Sequence, residues 1–124
     1  MRKQIELVQT RTPIKRMKIV PEIEATEIDL CDIQDDLGHS LCADINSQET
    51  VSFVHCDITN ESDNQNVADT AIAKHGKLDI MFNNASISDK IGPRIVAADC
   101  EDFKRVFDVN FFGAFLGANT LLGL

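Results

Sequence analysis

Short apolar runs alternate with helix-period segments along most of this chain, and that alternation restricts the fold more than any other feature. Glu27–Ile33 (EIDLCDI), Val51–His55 and Leu78–Phe82 read as strands. Between and after them, 34–45, 61–75 and a segment from Asp99 toward the C-terminus read as helices. Strands joined by helices of this length predict βαβ units, and so a parallel sheet of the α/β class with helices packed on it. The sharpest boundary is at Leu78–Ser86, LDIMFNNAS, where an apolar run broken only by Asp79 gives way at once to Asn83-Asn84. That is the pattern of a buried parallel strand with polar side chains at its carboxyl end. In open α/β sheets ligands bind beyond such ends.

The helical segments carry their own start and stop chemistry. Leu37, Leu41 and Ile45 share one face of the first, Asp35 and Asp36 sit in its first turn, and Gly38 permits a close approach. Thr59 or Asn60 caps the second, whose expected buried face is Val67, Ala68, Ala71 and Ile72. His75 and Gly76 are its stop signal, so His75 reads as structural. The last is expected to bury Phe103, Val106, Phe107, Asn110, Phe111 and Ala114. Its Gly113 and Gly117, spaced GxxxG, point to close helix packing rather than a membrane dimer.

Charge is unevenly spread. Residues 1–26 carry six basic side chains against three acidic, and the remainder six against 17. An acidic body repels phosphates and argues against a nucleic-acid groove. No stretch is long and apolar enough for a transmembrane helix, and no secretory signal opens the chain. Cys31, Cys42, Cys56 and Cys100 lack paired metal-ligand spacing, so reduced thiols in a cytosolic protein are expected and no metal site. Residues 1–26 read as a poorly ordered basic leader before a domain at 27–124. Pro13 and Pro21 break any long helix there, though Ile5–Val8 is strand-compatible.

Three expected strand ends each carry a polar residue: Asp32, Asp57 and Asn83. A carboxylate ending the second strand of a dinucleotide fold accepts both adenosine ribose hydroxyls and repels a 2′-phosphate. With the segments DIQDDLGHSL (Asp32–Leu41), FVHCDIT (Phe53–Thr59), KLDIMFNNA (Lys77–Ala85) and FKRVFDVNFFGAFLG (Phe103–Gly117), the chain from about Ile28 to Leu124 resembles the short-chain dehydrogenase/reductase family. The likeness is to its secoisolariciresinol dehydrogenase subgroup.

The resemblance implies a partial Rossmann-like doubly wound sheet and NAD as cofactor. It makes Asp32, followed by Ile33, the ribose acid, and Asp57, with Ile58, the adenine-edge acid. Asn83, Ala85 and Ser86 match the family's NNAG, with Ser86 in the place of its last glycine. Asn110 matches the helix Asn that holds a proton-relaying water. A small alcohol or ketone is the implied substrate, and the last helix lies at a subunit interface in the family.

The departures are equally plain. No glycine precedes Gly38, so the family's TGxxxGxG turn and the strand carrying it are missing. There is no Tyr, and the region of the catalytic Ser, Tyr and Lys is not represented. The expectation is an inactive fragment of an NAD-dependent oxidoreductase. Its alternative is an interaction protein that pairs with full-length relatives through the last helix, and a phospho-receiver reading fits the acidic residues less well. Two interior strand edges would be orphaned unless Ile5–Val8 fills the first strand's slot, with 9–26 as the crossover.

Overall fold

A computed structural model describes residues 3–8, 25–44, 51–88 and 99–124. Strands β1 (Lys3–Val8), β2 (Ala25–Asp32), β3 (Val51–His55) and β4 (Ile80–Asn83) form one parallel sheet in the order β3-β2-β1-β4. The interior slot between β2 and β4 is therefore filled by 3–8. Val8 pairs with Cys31 on one side and Asn83 on the other. The first strand expected to be missing thus has a substitute, the strand-compatible stretch that begins the chain. It satisfies ladder groups that would otherwise be left without partners. The crossover from β1 to β2 and the rest of the expected leader lie outside the described residues.

Helices α1 (Asp35–Asp44) and α2 (Glu61–His75) follow β2 and β3. They take opposite faces of the sheet, since the connection from β2 to β3 steps outward and that from β3 to β4 returns across the sheet, and α1 packs on the Leu30 side of β2 while α2 packs on the Cys31 side. Ile28, Leu30 and Val51 form one buried cluster with Leu41 and Cys42 of α1. Cys31, Cys56, Ile58 and Val67 form another on the α2 side. Both faces are covered, as a doubly wound sheet requires.

The α1 contact differs from the expected Leu37–Leu41–Ile45 stripe. Leu37 is 52% exposed, and Gly38 is the buried residue, its backbone against the Phe53 ring. Ile45 lies outside the described residues. A β-carbon on residue 38 would overlap that ring, so packing rather than propensity put glycine mid-helix here. For α2 the capping is as expected. Asn60 Oδ1 accepts from Ser62 N (2.9 Å) and Asp63 N (3.3 Å), and Gly76 closes the helix at φ 77°. Val67, Ala68 and Ala71 are buried, while Ile72 is exposed at its margin.

His75 has the structural role expected of it, through partners remote in sequence. Its Nδ1 lies 2.8 Å from Glu27 Oε2 and its Nε2 3.0 Å from Asp29 Oδ2. Asp29, 1% exposed, also accepts from Ser52 Oγ and lies 3.6 Å from Lys74 Nζ. A buried carboxylate is tolerated only when it is satisfied in this way.

The final helical stretch comprises α3 (Cys100–Phe107), a π-helical segment (Asp108–Gly113) and α4 (Ala114–Leu122). Its buried face is not the expected phenylalanine stripe. Phe103, Phe107 and Phe111 are 62%, 48% and 64% exposed and stack on one another. Asp102, Gly113, Leu116 and Gly117 are buried instead. The glycines let the helix settle onto the sheet: Gly113 abuts Ile58, and Gly117 abuts the Asn83 amide. β4 is correspondingly less buried than expected, with Phe82 half exposed, because it is the edge strand of the described sheet.

Candidate functional site

The strand order sets the site's place. From β1 the chain winds outward through β2 and β3, then returns to set β4 on β1's other side. Such a reversal opens a crevice beyond the carboxyl ends of the strands. A cleft of about 390 Å³ lies at that edge. Its floor is Asp32 and Ile33 after β2, Asp57 and Thr59 after β3, and Ala85, Ser86 and Ile87 after β4. Glu101, Lys104, Arg105, Asp108 and Val109 of the last helical stretch form its wall.

Asp32 is 5% exposed and held firmly. Its Oδ1 accepts from Gln34 N (2.9 Å) and Gln34 Nε2 (3.2 Å), and its carbonyl accepts from Cys56 N (3.0 Å). Asp57 is fixed just as closely. Its Oδ1 accepts from Thr59 N (2.9 Å) and Thr59 Oγ1 (2.7 Å), and its own N–H donates to Asp63 Oδ2 (2.9 Å). On the wall, Lys104 pairs with Glu101 (2.9 Å), and Arg105 Nε donates to the buried Asp102 Oδ1 (3.0 Å). The lining holds four carboxylates against two basic side chains. That balance suits a neutral, donor-rich ligand better than a phosphate. Ile33 and Val109 supply apolar surface between the charges.

Of the sequence-derived candidates, Asp32, Ile33, Asp57, Ala85 and Ser86 converge on this cleft. Ile58 and Asn83 do not line it. The Ile58 side chain is buried against Gly113, with its carbonyl accepting from Asn64 Nδ2 (2.9 Å), and Asn83 turns toward Gly117. Asn110 also lies outside it. Its amide makes a two-pronged clamp on the loop after β4: Ile87 N donates to Oδ1 and Nδ2 donates to Ile87 O, both at 2.8 Å. It sits within the π-helical segment, a distortion that recurs at functional sites.

The wall residues and Thr59 were not legible as site residues, because solvated helix charges and a post-strand Thr have no distinguishing pattern. His55, at the end of β3, lies 2.6 Å from Asp35 Oδ1. That hydrogen bond raises its pKa above the ordinary 6.5, against a small lowering from burial. Among the described residues no group of three His, Cys, Asp or Glu is arranged to hold a metal ion, and no helix is long and apolar enough to cross a membrane.

A parallel sheet with a crevice at its strand-order reversal, edged by acidic strand ends, defines a Rossmann-like domain. A family model described as enoyl-(acyl carrier protein) reductase matches residues 23–124, and the chain belongs to the short-chain dehydrogenase/reductase family. It is 54% identical over 89 residues to the short chain aldehyde dehydrogenase 1 of Euphorbia lathyris, covering 72% of this chain and 31% of that protein. To the secoisolariciresinol dehydrogenase of Forsythia intermedia it is 46% identical over 90 residues, covering 73% and 32%. The chain thus spans about a third of the length of these curated relatives.

Among solved structures, a glucose/ribitol dehydrogenase-type member from Brucella melitensis superposes with a TM-score of 0.81 at 18% identity, covering 98% of this chain and 51% of the other. A 3-ketoacyl-(acyl-carrier-protein) reductase from the same organism, complexed with NADH, does so at 0.73 and 26% identity, covering 80% and 40%.

Proposed function

We propose that this chain is the adenosine-binding portion of an NAD-dependent short-chain alcohol dehydrogenase/reductase of the secoisolariciresinol dehydrogenase kind, acting in the cytosol, and that alone it turns over no alcohol. The observation that carries the reading is the convergence of Asp32, Ile33, Asp57, Ala85 and Ser86 on one cleft at the carboxyl edge of the sheet. Among the described residues, no protein group donates to Asp57 Oδ2, so an acceptor stands ready for a ligand's donor. Asp32 would take the adenosine ribose hydroxyls and Asp57 the adenine amino group, with Ile33 against the base. Ile58 would contribute through its backbone, its side chain being committed to the core, and Asn83 by bracing the end of β4 against α4.

When bound, the cofactor supplies the hydride-accepting carbon. The alcohol proton must leave as well, and that needs a base of tuned pKa against the hydroxyl. The chain has no Tyr, and the Asn110 amide neither titrates usefully nor is free of Ile87. His55 pairs with Asp35 near the adenosine side, and His75 is engaged by Glu27 and Asp29. With no glycine before Gly38, the sequence has no glycine-rich turn of the kind that receives a pyrophosphate, and weak cofactor affinity is expected.

The test is titration of the chain with NAD and NADP. NAD is expected to bind better, and Asp32→Ala to narrow the gap by removing repulsion of the 2′-phosphate. An unchanged preference in that variant refutes the assignment. NADH absorbance with a panel of secondary alcohols is expected to stay at the buffer blank.

The exposed Phe103–Phe107–Phe111 stack favours a second reading, pairing with a full-length relative or another copy through the last helix. Co-elution with such a relative on size exclusion, lost on Phe107→Glu, supports that reading.

A further inference from the structure

Thr59 lines the cleft beside Asp57 and spends both its donors on the same oxygen. The backbone N–H (2.9 Å) and the hydroxyl (2.7 Å) converge on Asp57 Oδ1. Asp63, in the first turn of α2, holds the Asp57 backbone from behind by accepting its N–H at 2.9 Å. The Asp57 carboxylate is therefore held through one oxygen, and the other has no donor among the described residues. An ionised carboxylate only accepts, so the ungripped oxygen rewards a donor and repels another acceptor. We propose that Thr59 is a specificity-determining positioning residue: by gripping Oδ1 it presents Asp57 Oδ2 to the base, and so selects a purine with an exocyclic amine over one with an exocyclic oxygen. This rests on the proposal that the cleft takes the adenosine half of the cofactor.

The discrimination follows from the donor pattern. Adenine offers an N–H to Oδ2, and hypoxanthine puts a carbonyl oxygen in the same place. One hydrogen bond to a charged acceptor corresponds to about tenfold in affinity. Thr59 also dictates what Asp57→Asn would do. Its two donors require an acceptor, so they keep the amide oxygen at the Oδ1 position and turn the NH₂ toward the base. The preference then inverts, because the amide now donates to hypoxanthine's oxygen. The backbone N–H alone favours that orientation and the hydroxyl fixes it, so Asp57→Asn combined with Thr59→Val should invert less completely than Asp57→Asn alone.

The isotope-labelled chain is titrated with adenosine 5′-monophosphate and inosine 5′-monophosphate, and the amide shifts of Ile33, Asp57 and Ser86 are followed. The expected results are an adenosine preference of about tenfold in the wild type, an inverted preference in Asp57→Asn, a ratio lowered by about half or more in Thr59→Val, which keeps the backbone N–H on Oδ1 and loses the hydroxyl, and restoration in Thr59→Ser. Each ratio is read within one variant, so lost stability scales both affinities alike. Cleft shifts with the adenosine nucleotide, together with a wild-type ratio in Thr59→Val or a retained adenosine preference in Asp57→Asn, overturn this inference and leave the adenosine reading standing. If neither nucleotide moves a cleft amide in the folded wild type, both fall.

Discussion

Gly113→Ala tests how the last helical stretch is seated over the site. Gly113 is buried in the π-helical segment, and a β-carbon built on it would fall 2.7 Å from Ile58 Cγ1 and 3.3 Å from Ile58 Cβ. Ile58 is 3% exposed and belongs to the cluster of Cys31, Cys56 and Val67, so it has little room to retreat. Overpacking of this kind costs about 1–3 kcal/mol. Replacing a helical glycine by alanine returns up to about 1 kcal/mol of propensity. The net expectation is a destabilisation of about 1–2 kcal/mol, or a fall in Tm of about 4–8 °C for a chain of this size.

Thermal unfolding followed by circular dichroism at 222 nm reads it. Gly123→Ala is the control, since its β-carbon would meet only ordinary contacts at 3.5 Å. Combining Gly113→Ala with Ile58→Ala should be less damaging than the two changes summed, by about 1 kcal/mol, because the new methyl enters space the isoleucine vacated. A Gly113→Ala chain as stable as the wild type, or more so, with an additive double-mutant cycle, would refute the close approach and the seating of the helix on Ile58.

Asn60→Ala should cost about 1 kcal/mol by leaving the Ser62 and Asp63 N–H groups without their side-chain acceptor, read as a lowered urea midpoint with an unchanged m-value. His55 should titrate above its ordinary 6.5 in an NMR pH series, and Asp35→Asn should bring it down. Because its folded pKa is the higher one, the pair stabilises the fold fully below the unfolded value. The contribution disappears as pH rises through the folded value. Asn110→Ala should speed amide exchange at Ile87 by about fivefold or more, the worth of one to two lost hydrogen bonds, while leaving exchange in α2 unchanged.

Local chemistry determined much of this protein without help from the tertiary structure. The limits of α2 were legible because Asn60 and Gly76 act within a turn of their own backbone. The parallel α/β architecture followed from the length of the connecting segments, which only crossovers can use. Asp32 and Asp57 were placed at one edge because the carboxyl ends of parallel strands all lie there.

Other features needed partners remote in sequence. The apolar periodicity of the last helix pointed to Phe103, Phe107 and Phe111, yet the sheet receives Gly113 and Gly117. Contact with Ile58 and Asn83 leaves no room for a side chain, and hydrophobicity carries no record of available space. The same holds for Gly38 against Phe53. Asp29 is held by His75, 46 residues away, a pairing no local pattern encodes. Lys3–Val8 enters the interior slot because β2 and β4 both present backbone groups that need partners. Ile5–Val8 was legible as strand-compatible, but that need for partners exists only once the sheet is assembled, so the tertiary structure decided which slot it takes.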